Sequence, residues 1–140
     1  MTAANRSMAP GGVLPELGYA DVAAAVAWLC STFGFTERLR IGNHRVQLRA
    51  GSGSVIVVSG PPAPPEGAFA THSVMVAVDD VDAHFEQARR SGAAILSTPT
   101  TFPYGERQYG AVDLGGHRWK FSQTVADVDP ADWGGELVQR

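Results

Sequence analysis

The sequence has one cysteine, no apolar run of membrane length and no surplus of basic charge, and each shortage removes a class of function. The lone thiol, Cys30, has no disulfide partner within the chain, and its place in an apolar helical stretch suits a small buried residue better than a reactive one. Crossing a bilayer takes about 20 consecutive apolar residues, which occur nowhere, and residues 1–12 are polar and small rather than a basic stretch followed by a hydrophobic core. A formal net charge of -3 supplies no field to neutralise a row of phosphates. Nucleic acid and membrane are therefore not expected partners, and the expected compartment is cytoplasmic.

What is present fits one domain with its own core, since 140 residues are too few for two of ordinary size. Sixteen glycines and nine prolines imply many turns between short elements and argue against a helical bundle. Residues 1–12 have no apolar periodicity and end in Pro10-Gly11-Gly12, so they are expected to be a disordered tail. A short strand follows over 13–19, and Asp21 stands as N-cap to a helix over 22–33 that Gly34 stops. Val22, Val26, Leu29 and Phe33 form the apolar stripe of that helix. The period then changes to two, giving strands at 36–41, 44–50 and 54–59 with turns at Gly42-Asn43 and Gly51-Ser52-Gly53. Residues 60–67 contain four prolines and read as a linker.

Beyond the linker the order repeats. A strand over 73–78, a helix capped by Asp80 and running over 81–91, and strands at 94–98, 108–113 and 118–123 complete a second β-α-β-β-β unit. Duplication of such a unit predicts an α+β fold, because each half has an apolar sheet face that the other can cover. Module one then spans 13–60 and module two 68–125, with 126–140 a C-terminal extension. Asp129 and Pro130 suit the start of a short helix there, and Trp133 is expected to pack that segment on the body.

The run from Tyr104 to Trp119, YGERQYGAVDLGGHRW, carries a resemblance. It resembles the loop, strand, D-P-x-G-H-x-W turn and last strand of the glyoxalase/bleomycin-resistance/dioxygenase superfamily, also called vicinal oxygen chelate proteins. Here Leu114 stands where proline is usual and Gly115 follows it. Tyr19-Ala20-Asp21-Val22 with Phe33-Gly34-Phe35 is a weaker matching signature, and the resemblance covers residues 13–125. Read without the family, Asp113, Gly115, Gly116 and His117 form a tight turn, with Asp113 and His117 as side chains that stabilise it.

The resemblance implies a divalent metal held by one residue near the start of the first strand and one on the last strand of each half. Those places fall on Leu14, Ser73, Val57 or Val58, and Lys120. None is a good ligand, and a lysine ammonium would repel a cation. His72 adjoins Ser73, but one histidine makes no metal site, so neither a metal nor another cofactor is expected.

Lys120 instead suggests a positive group that faces a cleft, where it binds an anionic or carbonyl-bearing ligand or pairs with Glu106. Period two turns Arg118 and Ser122 to the same side and Trp119 and Phe121 toward the core. The loop 102–107 adds Tyr104, Glu106 and Arg107 as candidate pocket residues, with a solvated Glu106–Arg107 pair as the plainer alternative. Trp28 lies off the helix stripe and could border the cleft or a dimer contact. Gln47, between Arg45 and Arg49, belongs to a polar strand face that either lines the cavity or meets solvent.

The resemblance and the poor metal ligands together lead to a metal-independent small-molecule binding protein, in the manner of the antibiotic-binding members. The alternatives are a lyase, isomerase or dioxygenase of the same fold, including acid–base chemistry by His72 with Glu106, and an interaction module. A homodimer is expected, since members of the superfamily often pair.

Overall fold

The computed structural model describes residues 4–62, 65 and 71–138. Of the expected 60–67 linker, residues 63–64 and 66–67 lie outside the described residues.

Strand β1 (Glu16–Tyr19) leads into helix α1 (Val22–Phe33), followed by β2 (Thr36–Ile41), β3 (Arg45–Ala50) and β4 (Gly53–Ser59). The second set is β5 (Val74–Ala77), α2 (Val81–Arg90), β6 (Ala94–Thr101), β7 (Glu106–Val112) and β8 (Arg118–Thr124), with a short 3-10 turn over Pro130–Trp133. The architecture is α+β and has two modules of the same plan. One sheet has the order β1-β4-β3-β2 and the other β5-β8-β7-β6, so each strand of the first has its counterpart in the second. In both sheets the first strand runs parallel to the last, and the remaining pairs are antiparallel.

The helices begin and end for local reasons. The Asp21 carboxylate accepts from the N–H of Ala24, and that of Asp80 accepts from Ala83, each satisfying a donor that the first turn leaves free. Gly34 closes α1 in the left-handed conformation, φ 76°, with its N–H on the Cys30 carbonyl. The stripe Val22, Val26, Leu29 and Phe33 is buried throughout. Trp28 lies beside it and packs edge-on against Phe33, on the margin of the core.

Period two divides each sheet into an inner and an outer face. Leu17, Tyr19, Val46, Leu48, Val55 and Val57 point inward beneath α1, while Glu16, Gln47, Arg49, Ser54 and Ile56 point outward. In the second sheet Tyr109, Ala111, Trp119 and Phe121 point inward and are essentially inaccessible. Phe33 and Phe35 then cross the boundary to meet Trp119 and Phe121, so the two modules share one core. Burying one such ring is worth about 1.5–3 kcal/mol, which makes the shared aromatic layer the main bond between modules.

Residues 4–12, whose composition suggests no order, instead form turns and lie against the outer face of the first sheet. Nε2 of Gln47 donates to the Ser7 carbonyl, Nη2 of Arg38 to that of Arg6, and Oγ of Ser54 to that of Pro10. The attachment uses main-chain carbonyls, which composition does not encode. Among the described residues no helix is long and apolar enough to cross a membrane.

Candidate functional site

The outer face of the second sheet carries two adjoining hollows. One, of about 310 Å³, is lined by His72, Ser73, Leu96, Ser97, Gly110 and Arg118 together with Lys120. The other, of about 270 Å³, is lined by Ser97, Thr100, Phe102, Tyr104 and Gln108, again with Lys120. Lys120 and Ser97 border both, so together they form one trough of ordinary ligand size.

The register explains the room beside the ammonium. Lys120 stands opposite Gly110 on β7, and a Cβ built there would lie 3.1 Å from Oγ of Ser97. Glycine therefore leaves open the space that a side chain would fill. Met75, on the strand beyond β8, is level with Lys120 and 63% exposed. At the other end, the rings of Phe102 and Tyr104 stack 5.4 Å apart, and Trp133 from the C-terminal segment packs on Tyr104.

The floor is a directed chain of hydrogen bonds. The Tyr104 phenol donates to Oε1 of Gln108 at 3.2 Å, Nε2 of Gln108 to the Ser122 hydroxyl at 3.1 Å, and that hydroxyl to Glu106 at 2.6 Å. The second carboxylate oxygen of Glu106 accepts from Thr124 at 2.6 Å. Glu106 is thus fully engaged by hydroxyls, and among the described residues it forms no ion pair with Lys120. The exposed ammonium is left to face the trough. Gln108, which the sequence reading passed over, lies in line with Lys120 and Ser122 on paired strands, and the period of β7 could have revealed it.

Four of the seven candidate residues, His72, Tyr104, Glu106 and Lys120, lie on this one face. The other three do not. Arg107 follows Glu106, so period two turns it to the helix side, where its guanidinium pairs with Asp82 at 3.0 Å and donates to Thr101. That pairing raises the Arg107 pKa further and commits its charge to α2. Gln47 lies on the first sheet under the N-terminal segment, and Trp28 packs on Phe33.

The residues of the glycine-rich turn do more than shape it. The buried Asp113 carboxylate accepts from the N–H groups of Gly115 and His117, from the Trp119 indole and from the Tyr19 phenol. Nε2 of His117 is 2.9 Å from the Gly18 carbonyl. Tyr19 and Gly18 belong to the other module, so this turn is a clasp between modules. Burial, then the Asp113 charge, pushes the Tyr19 phenol far above its usual range and keeps it a donor.

A larger cavity of about 500 Å³ opens where the β3–β4 turn meets the end of β5, between Phe33, Phe35, Gly51, Val76, Val78 and His84. Both ring nitrogens of His84 are engaged, Nδ1 with the Tyr109 hydroxyl and Nε2 with the Phe33 carbonyl. Ser52 and Asp79 join the aromatic and aliphatic lining, and the imidazole is committed to structure, so among the described residues the cavity offers no cationic side chain of the kind that Lys120 brings to the trough.

The family model for the glyoxalase/bleomycin resistance protein/dioxygenase superfamily matches residues 14–121. The chain belongs to this superfamily. TioX from Micromonospora sp. ML1 is similar at 35% identity over 84% of this chain and 98% of that one, with a TM-score of 0.68. TnmS3, an antibiotic binding protein from Streptomyces sp. CB03234, is similar at 25% identity over 79% of this chain and 93% of that one, with a TM-score of 0.64. A superfamily structure from Nocardioides shares the fold at 18% identity, covering 97% of this chain and 92% of that one, with a TM-score of 0.64. Comparison with curated proteins finds no match.

The divalent metal common in this superfamily does not fit the residues present. Val57 faces the core, fully buried, Val58 is apolar, and Lys120 brings a cation to the fourth place. Among the described residues, no three of His, Cys, Asp and Glu converge as a metal ion requires.

Proposed function

We propose that the protein is a metal-independent small-molecule binding protein of the glyoxalase/bleomycin-resistance type, which sequesters an antibiotic or metabolite in the trough on the second sheet. The observation that carries this reading is the trough itself: the Lys120 ammonium, with Arg118 on the same lining, over a hydrogen-bonded floor that ends on the Glu106 carboxylate, with apolar Met75 and Leu96 at one end and stacked Phe102 and Tyr104 at the other. Such a surface suits a largely apolar or aromatic molecule that carries a carboxylate or a polarised carbonyl. Among the described residues the carboxylate that meets this face, Glu106, is held by two hydroxyls, which supports binding over acid–base work with His72. The antibiotic-binding relative at 25% identity supports the same reading.

A homodimer in the cytoplasm belongs to this proposal. Met75 at 63% and Leu96 at 48% exposure leave apolar area on the trough rim that a second copy would cover.

Native mass spectrometry and metal analysis of protein purified without chelators test the reading together. An organic adduct that disappears in a Lys120→Ala variant is the expected result. A stoichiometric divalent metal retained through dialysis would replace the proposal with a metal-dependent lyase, isomerase or dioxygenase, and size-exclusion chromatography settles the dimer.

A further inference from the structure

The geometry points to a second recognition surface, on the outer face of the first sheet, which takes a peptidic chain by its amide carbonyls and which the protein's own residues Arg6–Pro10 occupy as an intramolecular ligand. It goes beyond the trough reading, since it concerns the other sheet and other residues.

Three donors on that face make the surface. Arg38 on β2, Gln47 on β3 and Ser54 on β4 each direct one donor at a main-chain carbonyl, with separations of 2.7, 2.8 and 2.8 Å to Arg6, Ser7 and Pro10. Nη1 of Arg38 also donates to Oε1 of Gln47 at 2.5 Å, which fixes the amide so that Nε2 points outward. A buried Gln47 turned any other way would leave a polar group unmatched at a cost of about 1–3 kcal/mol. No side chain of the segment accepts or donates in these three contacts, so the face reads carbonyl positions rather than residue identity.

Burial gives a second, independent observation. Ile56 points outward, away from α1, and does not belong to the shared core, yet it is only 1% exposed. Ala9, likewise outside that core, is 3% exposed. Such burial on an outward face is what a segment held over it by the three donors gives. Gly12, in the left-handed region at φ 74°, then turns the chain away toward β1. Among the described residues no segment covers the corresponding face of the second sheet in this way, and that face carries the trough. Among the described residues the two modules thus differ in one respect that matters for binding: one outer face carries a trough, and the other is held by a tethered competitor.

Trypsin reads the state of this strap in the full chain, because the bond to be cut, Arg6–Ser7, has the carbonyls of both its residues pinned to the sheet. Loss of residues 1–6 is followed by mass spectrometry. Cleavage in the parent is expected to be at least about tenfold slower than in an Arg38→Ala/Gln47→Ala/Ser54→Ala variant, since each lost hydrogen bond is worth about 1 kcal/mol. Ser54→Ala alone must move the rate in the same direction, and Arg89→Ala, on α2, must not move it. The unsubstituted chain supplies the second arm. The hexapeptide acetyl-Ser-Met-Ala-Pro-Gly-Gly-amide has no tryptic site, and its acetyl group replaces the Arg6 carbonyl. Added well above the roughly millimolar effective concentration of a short tether, it is expected to accelerate cleavage of the parent saturably. Equal cleavage of parent and triple variant would overturn the docked strap. A hexapeptide without effect would overturn recognition of peptidic carbonyls.

Discussion

The phenol of Tyr19, at the end of the first strand of one module, donates to the carboxylate of Asp113, at the end of the third strand of the other, across 2.5 Å. Beside it, a Cβ at Gly115 would lie 2.6 Å from the Tyr19 ring, so the turn must be bare to admit the phenol. At the junction where Gly51 approaches the Ala77 carbonyl, the tie between modules is the bond from His84 Nε2 to the Phe33 carbonyl. The part of the sequence that most resembles the superfamily is thus spent on joining the modules.

Asp113→Ala is expected to destabilise the fold by roughly 3 kcal/mol or more, because it strands a buried phenol and a buried indole as unsatisfied donors. Tyr19→Phe removes one of the four bonds and leaves the carboxylate with three, so a loss of about 1 kcal/mol is expected. Urea unfolding of the two variants against the parent checks the order.

The same contact predicts alkaline lability. Burial and Asp113 raise the Tyr19 pKa, and burial raises that of Tyr109. Above a pH of about 10 the unfolded chain releases these protons while the folded chain retains them. Stability present below that pH is then lost as pH rises, by about 1.4 kcal/mol per pH unit for each phenol. Unfolding free energies measured from pH 9 upward should fall less steeply in Tyr19→Phe than in the parent.

Much of the fold was legible because it is periodic and locally capped. The stripe of α1, the Asp21 and Asp80 caps and the alternation along β8 are each set by neighbours within a few residues. Strand ends shifted where pairing decides them: β6 runs on to Thr101, and β7 begins at Glu106 rather than Gln108, because the two strands pair out to Thr101 and Arg107. The clasp was legible only as a turn, since Tyr19 is 94 residues from Asp113 and no local period links them. Of the candidate site, the outward side of Lys120 was legible from strand alternation, and Tyr104 was marked by loop composition alone. Arg107 was misplaced because a loop reading of 102–107 hid that residues 106 and 107 already alternate between faces. The docking of residues 6–10 was out of reach, being made by carbonyls that every sequence shares.

Acid should weaken the fold through His84. Its Nε2–H donates to the Phe33 carbonyl, and in the neutral ring this leaves Nδ1 to accept from the Tyr109 hydroxyl. Burial lowers its pKa, with the Phe33 bond in partial opposition. A depressed folded pKa contributes stability above the unfolded value of about 6.5 and loses it as pH falls through the folded value. Denaturant midpoints should therefore drop between pH 7 and pH 5 in the parent, and by less in His84→Gln.

The trough makes opposite demands on two facing residues. Lys120→Ala removes the charge and leaves the space, whereas Gly110→Val keeps the charge and fills the space, since even its Cβ reaches within 3.1 Å of Ser97. Lys120→Ala should not unfold the protein, because Lys120 is exposed, whereas Gly110→Val requires the Ser97 side chain to give way, so its melting temperature is read beside its binding. For the anionic dye anilinonaphthalene sulfonate, followed by fluorescence titration, Lys120→Ala is expected to weaken binding about tenfold, or about 1.4 kcal/mol, with an effect that shrinks as salt is raised. Gly110→Val should weaken it at least as much, with no dependence on salt. If both variants bind the dye as the parent does while their melting temperatures are unchanged, the ligand face lies elsewhere, and the 500 Å³ cavity at the module junction becomes the place to look.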